Sequence, residues 1–428
     1  MGDRYPGSRA QHERSRQSLA RGVATGIRAG QRPVPISFVG GNGAYLTDID
    51  GHGYVDYALA YGPMLLGHSP EPVLAAVRRQ LSEGLAYGAS HVLEAEAAEA
   101  LCRTVPCAEL CVFSNSGSEA VHTAIRIARA ATGRTRVVKF LGHFHGWLDP
   151  LAVGTPGHGE TELATKGQDP LASASVSVCR WNDLDALEAV LDDDVAAVIM
   201  EPVAVNGGCF APEPGYLEAV KALTEAAGSL LIFDEVITGF RLALGGAQER
   251  YGVLPDLAVL GKALGSGFPI SAVCGRGDVL EEVASGRVEH IGTFNLNPLC
   301  ASAVVASVAE LEKLAPRLYP QLDAVGGALA EILVTEAAHA GLPLVVNQLG
   351  GAAYAFWSNE PVGSHMDALT ADGNAYRRFA EALLDEGVHV IPRGLLYVSA
   401  VHGEPELELT RQAVRRACAT AAETTGVA

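Results

Sequence analysis

Residues 230–236 read Leu230-Leu231-Ile232-Phe233-Asp234-Glu235-Val236, and residues 257–269 read LAVLGKALGSGFP, with Lys262 just after the apolar run. A short apolar run bounded by turn formers is the pattern of a strand buried on both faces. Related runs stand at 110–114, 136–140, 196–200 and 270–274, and helical patterns at 118–131, 183–191, 215–227 and 298–314. Strands alternating with helices predict an α/β chain whose mostly parallel central sheet is covered by helices on both faces. In such a sheet, ligands sit at the carboxyl ends of the strands. Asp234 and Lys262 stand at two such ends.

Working outward, residues 1–30 are polar with helical potential, and 35–60 read as short strands with turns. Helices are predicted at Glu71–Glu83 and Leu93–Thr104. After Leu314 the pattern predicts an α+β C-terminal domain, with helices at 320–340 and 373–387. Its strands fall near 343–347, 352–357 and 388–399. The resulting division is an N-terminal segment (1–65) that joins the small domain, a large domain (66–314) and a small C-terminal domain (315–428).

The chain has 428 residues, 48% of them hydrophobic and 19% charged, enough for a large core. A formal charge of −18 argues against a surface for nucleic-acid phosphates. Eight cysteines without a CxxC pair are no disulfide or zinc framework. The closest set, Cys102, Cys107 and Cys111, reads as thiols in a reducing compartment. No run of about 18 apolar residues predicts a membrane span. Arg4, Arg9, Arg14 and Arg16 suit a transit peptide, but Asp3 and Glu13 count against it, and a cytoplasmic location is expected.

Three motifs carry chemistry. In Phe113-Ser114-Asn115-Ser116-Gly117-Ser118-Glu119-Ala120 a strand passes through a Ser/Gly loop into a helix, whose free N–H groups suit a phosphate. Read alone, it favours an ordinary N-cap by Ser116 or Ser118. Asp234 needs a cation, because an unpaired buried carboxylate costs several kcal/mol; a local pair with Arg241 is the plainer reading. Lys262 is one of only five lysines, and its apolar setting lowers an amine's pKa and makes it a nucleophile and base. A phosphate cradle, an acid for a ring nitrogen and an amine for an aldehyde together suit pyridoxal phosphate (PLP).

From about residue 20 to 415 the chain resembles the class III, fold-type I PLP aminotransferases, in the branch of glutamate-1-semialdehyde aminomutase and the β-amino-acid aminotransferases. SNSGSEA, EPV, LLIFDEVITGFR, GKALGSGFPISAVCGR and GTFNLNPL carry the resemblance. It implies that Lys262 is the Schiff-base lysine, that Asp234 pairs with the pyridine nitrogen, and that Val236 and Phe144 pack on the two ring faces. Phe144 stands where Tyr is frequent. Ser116, Gly117 and Ser118 match the phosphate loop. Thr293 matches a threonine that reaches the neighbouring subunit's phosphate, which implies a homodimer with a shared site. Ile237 replaces a glutamine that bonds the phenolic oxygen of PLP in many relatives, and Asn206 is the matching substitute.

For the substrate, Arg28 matches the aminomutase's carboxylate-binding arginine; as one more arginine in an Arg-rich arm it needs no such role. Tyr61 matches an aromatic pocket wall. Pro392-Arg393-Gly394 resembles the motif whose arginine binds a carboxylate in β-amino-acid aminotransferases. Ungapped alignment puts Leu396 where the aminomutase has a functional glutamate. The expected activity is therefore transfer of an amino group from an amine or amino acid, including a β-amino acid, to a 2-oxo acid. Arg393 is expected to read the acceptor and Arg28 a donor carboxylate. The alternative is a 2,1-aminomutase on the same scaffold.

Overall fold

The computed structural model describes residues 4–425. Its central sheet has seven strands in the order Leu110–Ser114, Ser271–Gly275, Leu257–Leu260, Leu230–Asp234, Val195–Met200, Arg136–Phe140 and Val176–Cys179. Ser271–Gly275 runs antiparallel to both neighbours, and the remaining pairs are parallel. Six of the seven runs are thus the ones predicted. The edge strand Val176–Cys179 escapes the reading because Ser177 and partial burial break its apolar run. Six buried residues in succession, Val195 to Met200, mark a strand covered on both faces.

The expected helix at 118–131 forms as Gly117–Thr132 behind a Ser116 cap. That at 215–227 forms as Tyr216–Ala226, while 183–191 shrinks to Leu184–Glu188. The two helices expected at 298–314 and 320–340 are one helix, Pro298–His339, that runs through Pro316 and Pro320. Each proline sacrifices a hydrogen bond. Leu311, Leu318, Leu322 and Val325 are buried along this stretch and hold it against the core.

The stretch predicted as one strand at 388–399 is two. Val388–His389 pairs in parallel with Gly53–Asp56 and so joins the sheet of Phe38–Asn42 and Tyr45–Asp48. Leu395–Tyr397 pairs instead with Ala352–Trp357, which also pairs with Leu344–Leu349. Gly394, at φ +111°, turns the chain between them. The chain closes with a helix, Glu404–Thr425, beyond those predicted. Among the described residues no helix is long and apolar enough to cross a membrane, and no cluster of side chains suits a metal.

Candidate active site

The segments that follow the carboxyl ends of five strands converge on one cavity of about 320 Å³. Leu110–Ser114 leads into Ser116, Gly117 and Ser118; Arg136–Phe140 into Phe144; Val195–Met200 into Glu201 and Asn206; Leu230–Asp234 into Val236; and Leu257–Leu260 into Lys262. All of these side chains or backbones line it, with Asp234 itself. Ala60, Pro63 and Phe268 close it.

Asp234 does not pair with Arg241. One oxygen accepts from the Val236 N–H at 3.1 Å and the other meets His145 Nδ1 at 2.7 Å. Burial keeps His145 neutral, so it donates a hydrogen bond without cancelling the charge. Burial pushes the Asp234 carboxyl up to about 7, against the Val236 N–H and Lys262. A buried carboxylate short of a cation is a fitting partner for a protonated ring nitrogen. Arg241 is spent elsewhere, on the carbonyls of Gly62, Val398 and Gly351 and on the Tyr397 ring 4.7 Å away.

Lys262 follows its strand with φ +47°. Burial lowers its amine to about 8, while Glu201 and Asp234 oppose that shift. An amine so shifted is partly neutral near pH 8 and able to attack an aldehyde. Val236 lies against Gly117: a Cβ on this glycine would stand 3.3 Å from its side chain. Phe144 lines the cavity and is 45% exposed.

The Ser loop does two things at once. Ser116 accepts from the Glu119 N–H while Glu119 accepts from the Ser116 N–H, a complete capping box. The plainer N-cap reading of Ser116 therefore holds for its hydroxyl. The N–H groups of Gly117 and Ser118, in the first helical turn, have no acceptor within the helix and border the cavity. They suit a phosphate, and with Asp234 and Lys262 the donor set fits PLP.

The other expected residues sit farther out. Tyr61 lies between the cavity-lining Ala60 and Pro63 and within electrostatic reach of both Arg393 and Arg28. Arg28, on the turn Gly26–Arg28, is exposed and does not line the cavity. Arg393 donates to Asn206 Oδ1 at 2.8 Å, which ties it to the cavity wall. Thr293 is exposed and outside the cavity. Leu396 is buried in the core.

Sequence reasoning assigned no role to Glu201, His145 or Lys139. Glu201 lay in the EPV motif and His145 beside Phe144, so their positions were visible but their partners were not. Lys139 gave a weaker signal, as a lysine inside an apolar run. It is wholly buried and donates to three carbonyls, of His143, Leu151 and Val153, at 3.1, 3.0 and 2.7 Å.

Residues 27–419 match the sequence family described as aminotransferase class-III. The glutamate-1-semialdehyde 2,1-aminomutase of Pelotomaculum thermopropionicum is 41% identical over 399 residues, 91% of each chain. An omega-transaminase of known structure from Sphaerobacter thermophilus superposes with a TM-score of 0.91 at 33% identity, covering 99% of this chain and 100% of its own. A transaminase solved with PLP bound gives 0.92 at 28% identity and covers both chains fully.

Proposed function

The chain belongs to the aminotransferase class-III family, and from that premise, which makes it a PLP-dependent enzyme, we propose that it exchanges amino and carbonyl groups on a small carboxylate substrate at Lys262. The observation that carries this is the convergence of Lys262, Asp234 and the Gly117–Ser118 helix start on one cavity. When bound, the cofactor supplies an electron sink for the bonds of the amine-bearing carbon. Lys262 is placed to hold the cofactor's aldehyde and then, as a free amine, to move a proton at the substrate carbon. Asp234 would hold positive charge at the ring nitrogen, with His145 keeping its carboxylate oriented. The Gly117 and Ser118 N–H groups would take the phosphate, Phe144 and Val236 would pack on the ring, and Asn206 Nδ2 would offer its remaining N–H to the phenolic oxygen. Arg393, and Arg28 at the rim near Tyr61, read carboxylates.

The name and 41% identity of the sequence relative favour the intramolecular version, a 2,1-aminomutase acting on glutamate 1-semialdehyde. They rank it above the intermolecular transamination expected from the sequence. One observation favours transamination: Leu396 is buried away from the cavity, so among the described residues Glu201 and Asp234 are the only carboxylates lining it. The omega-transaminase likeness points the same way. Supplying glutamate 1-semialdehyde alone to the PLP-loaded enzyme decides between them. Conversion to the isomer aminated at carbon 1, with no oxo acid added, supports the aminomutase. Turnover of amines only with pyruvate or 2-oxoglutarate, consumed mole for mole, supports the transaminase. Neither activity would overturn both.

A homodimer belongs to the same proposal. Trp147 and Ile291, 81 and 79% exposed, line a groove with Ser116 and Ser118, and Phe294, 63% exposed, precedes Asn295, whose Oδ1 accepts from Asn115 at 2.9 Å. A second copy covering this face would bring its own Thr293 to the phosphate. Eight unpaired thiols suit a cytoplasmic location.

A further inference from the structure

Glu201 is buried at the cavity wall, and its carboxylate accepts three hydrogen bonds. Oε1 accepts from the Phe144 N–H at 2.7 Å and from Asn206 Nδ2 at 3.1 Å, and Oε2 from the Asn206 N–H at 3.1 Å. Its own N–H donates to His143 Nδ1 at 2.9 Å. Beyond it, Arg393 Nη2 donates to Asn206 Oδ1 at 2.8 Å.

We propose that Glu201 is a positioning residue that locks the Asn206 carboxamide with its oxygen toward Arg393, and so sets how the site reads a substrate carboxylate. An ionised carboxylate only accepts, and a guanidinium only donates. Of the two orientations open to a buried carboxamide, one satisfies both neighbours: nitrogen to Glu201 and oxygen to Arg393. The reverse sets oxygen against oxygen and nitrogen against nitrogen, and leaves buried groups unpaired. In the locked orientation the guanidinium is held by a neutral partner, so its charge stays available to an anion. The lock also joins the substrate side to the ring side, because the oxygen that takes Asn206 Nδ2 also takes the N–H of Phe144. Burial, with the nearby Asp234 carboxylate, raises the Glu201 carboxyl to about 7 against the donors of Phe144 and Asn206, so the lock is complete above that pH.

The inference rests on reading Arg393 as a carboxylate binder, and the test separates the two. Glu201→Gln keeps size but has one acceptor oxygen where two are used. Succinate, an unreactive dicarboxylate, is titrated by calorimetry into PLP-loaded protein, with the circular-dichroism band of bound PLP as a check on the cavity. Arg393→Ala should abolish binding, and Glu201→Gln should weaken it about tenfold, the loss expected for a displaced charged hydrogen bond. Glu201→Asp, which still only accepts, should restore most of it. Glu201→Gln/Asn206→Ala should bind no more weakly than Asn206→Ala alone, since Glu201 acts through Asn206. If Arg393→Ala abolishes binding while Glu201→Gln matches wild type, or if Gln and Asp lose equally, the positioning role is wrong and the reading of Arg393 stands. Full binding by Arg393→Ala, or none by wild type, overturns the reading of Arg393 and the lock with it.

Discussion

Asp234 ends its strand with one oxygen on a backbone N–H and the other on a neutral histidine, and burial raises its carboxyl to about 7. In an unfolded chain an aspartate titrates near roughly 4. Between those values the folded state holds more protons, so this group's contribution to stability is retained below the window and lost as pH rises through it. The melting temperature of cofactor-free protein should therefore fall between about pH 5 and 7. Asp234→Asn should make that slope shallower; an unchanged slope would contradict the buried, raised carboxyl. With PLP loaded, the same variant should slow turnover by roughly two orders of magnitude or more, as loss of a preorganised charge partner does. Lys262 shifts the other way, to about 8, so its burden on stability is relieved as pH climbs from about 8 toward roughly 10.5. Borohydride treatment of PLP-loaded Lys262→Ala should fix no cofactor. A stable adduct on Lys139, Lys166, Lys221 or Lys313 would refute the assignment.

Two elements hold the loop that carries Phe144 and His145. One is Lys139, whose Nζ gathers three carbonyls from residues 143–153. Lys139→Met fills the space but leaves those carbonyls unpaired, and should destabilise the protein by at least about 2 kcal/mol and loosen PLP binding. Denaturant titration and PLP titration check both. The other is Gly146, at φ +87°, where a Cβ would fall 2.4 Å from Ser118 Oγ. Gly146→Ala should push the loop off the phosphate cradle and cost about 1–3 kcal/mol; normal PLP affinity in this variant would count against the cradle. The strands and the Ser loop were legible because burial on two faces leaves an unbroken apolar run and a helix start leaves a serine cap. Lys139 was not: its partners are backbone carbonyls, which have no sequence identity. The helix Pro298–His339 reads as two in the sequence because proline is a strong local signal, overruled here by burial along its length. Glu201 stands in the EPV motif and His145 next to Phe144, yet the hydrogen bonds that define them join residues 57 and 89 positions apart.

For the molecule as a whole, the exposed Trp147, Ile291 and Phe294 beside the Ser loop set the expectation that active protein is a dimer or higher even oligomer. Sedimentation should give at least twice the 44.6 kDa chain mass. Phe294→Asp should shift the population toward monomer and lower PLP affinity together, whereas a fully active monomer would rule out the shared site. The N-terminal sheet carries a different consequence. Its fourth strand, Val388–His389, comes from the far end of the chain, and His389 meets Asp56 across 333 residues at 2.8 Å. A ribosome adding roughly 5–20 residues per second needs on the order of 20–70 s to cover that separation. During that interval Gly53–Asp56 waits with an open edge, and Asp56 lacks one of the two histidines that hold its carboxylate when folded. The nascent chain thus has a built-in period of exposure, and a chaperone that shields strand edges would act there, well before the catalytic cavity can close.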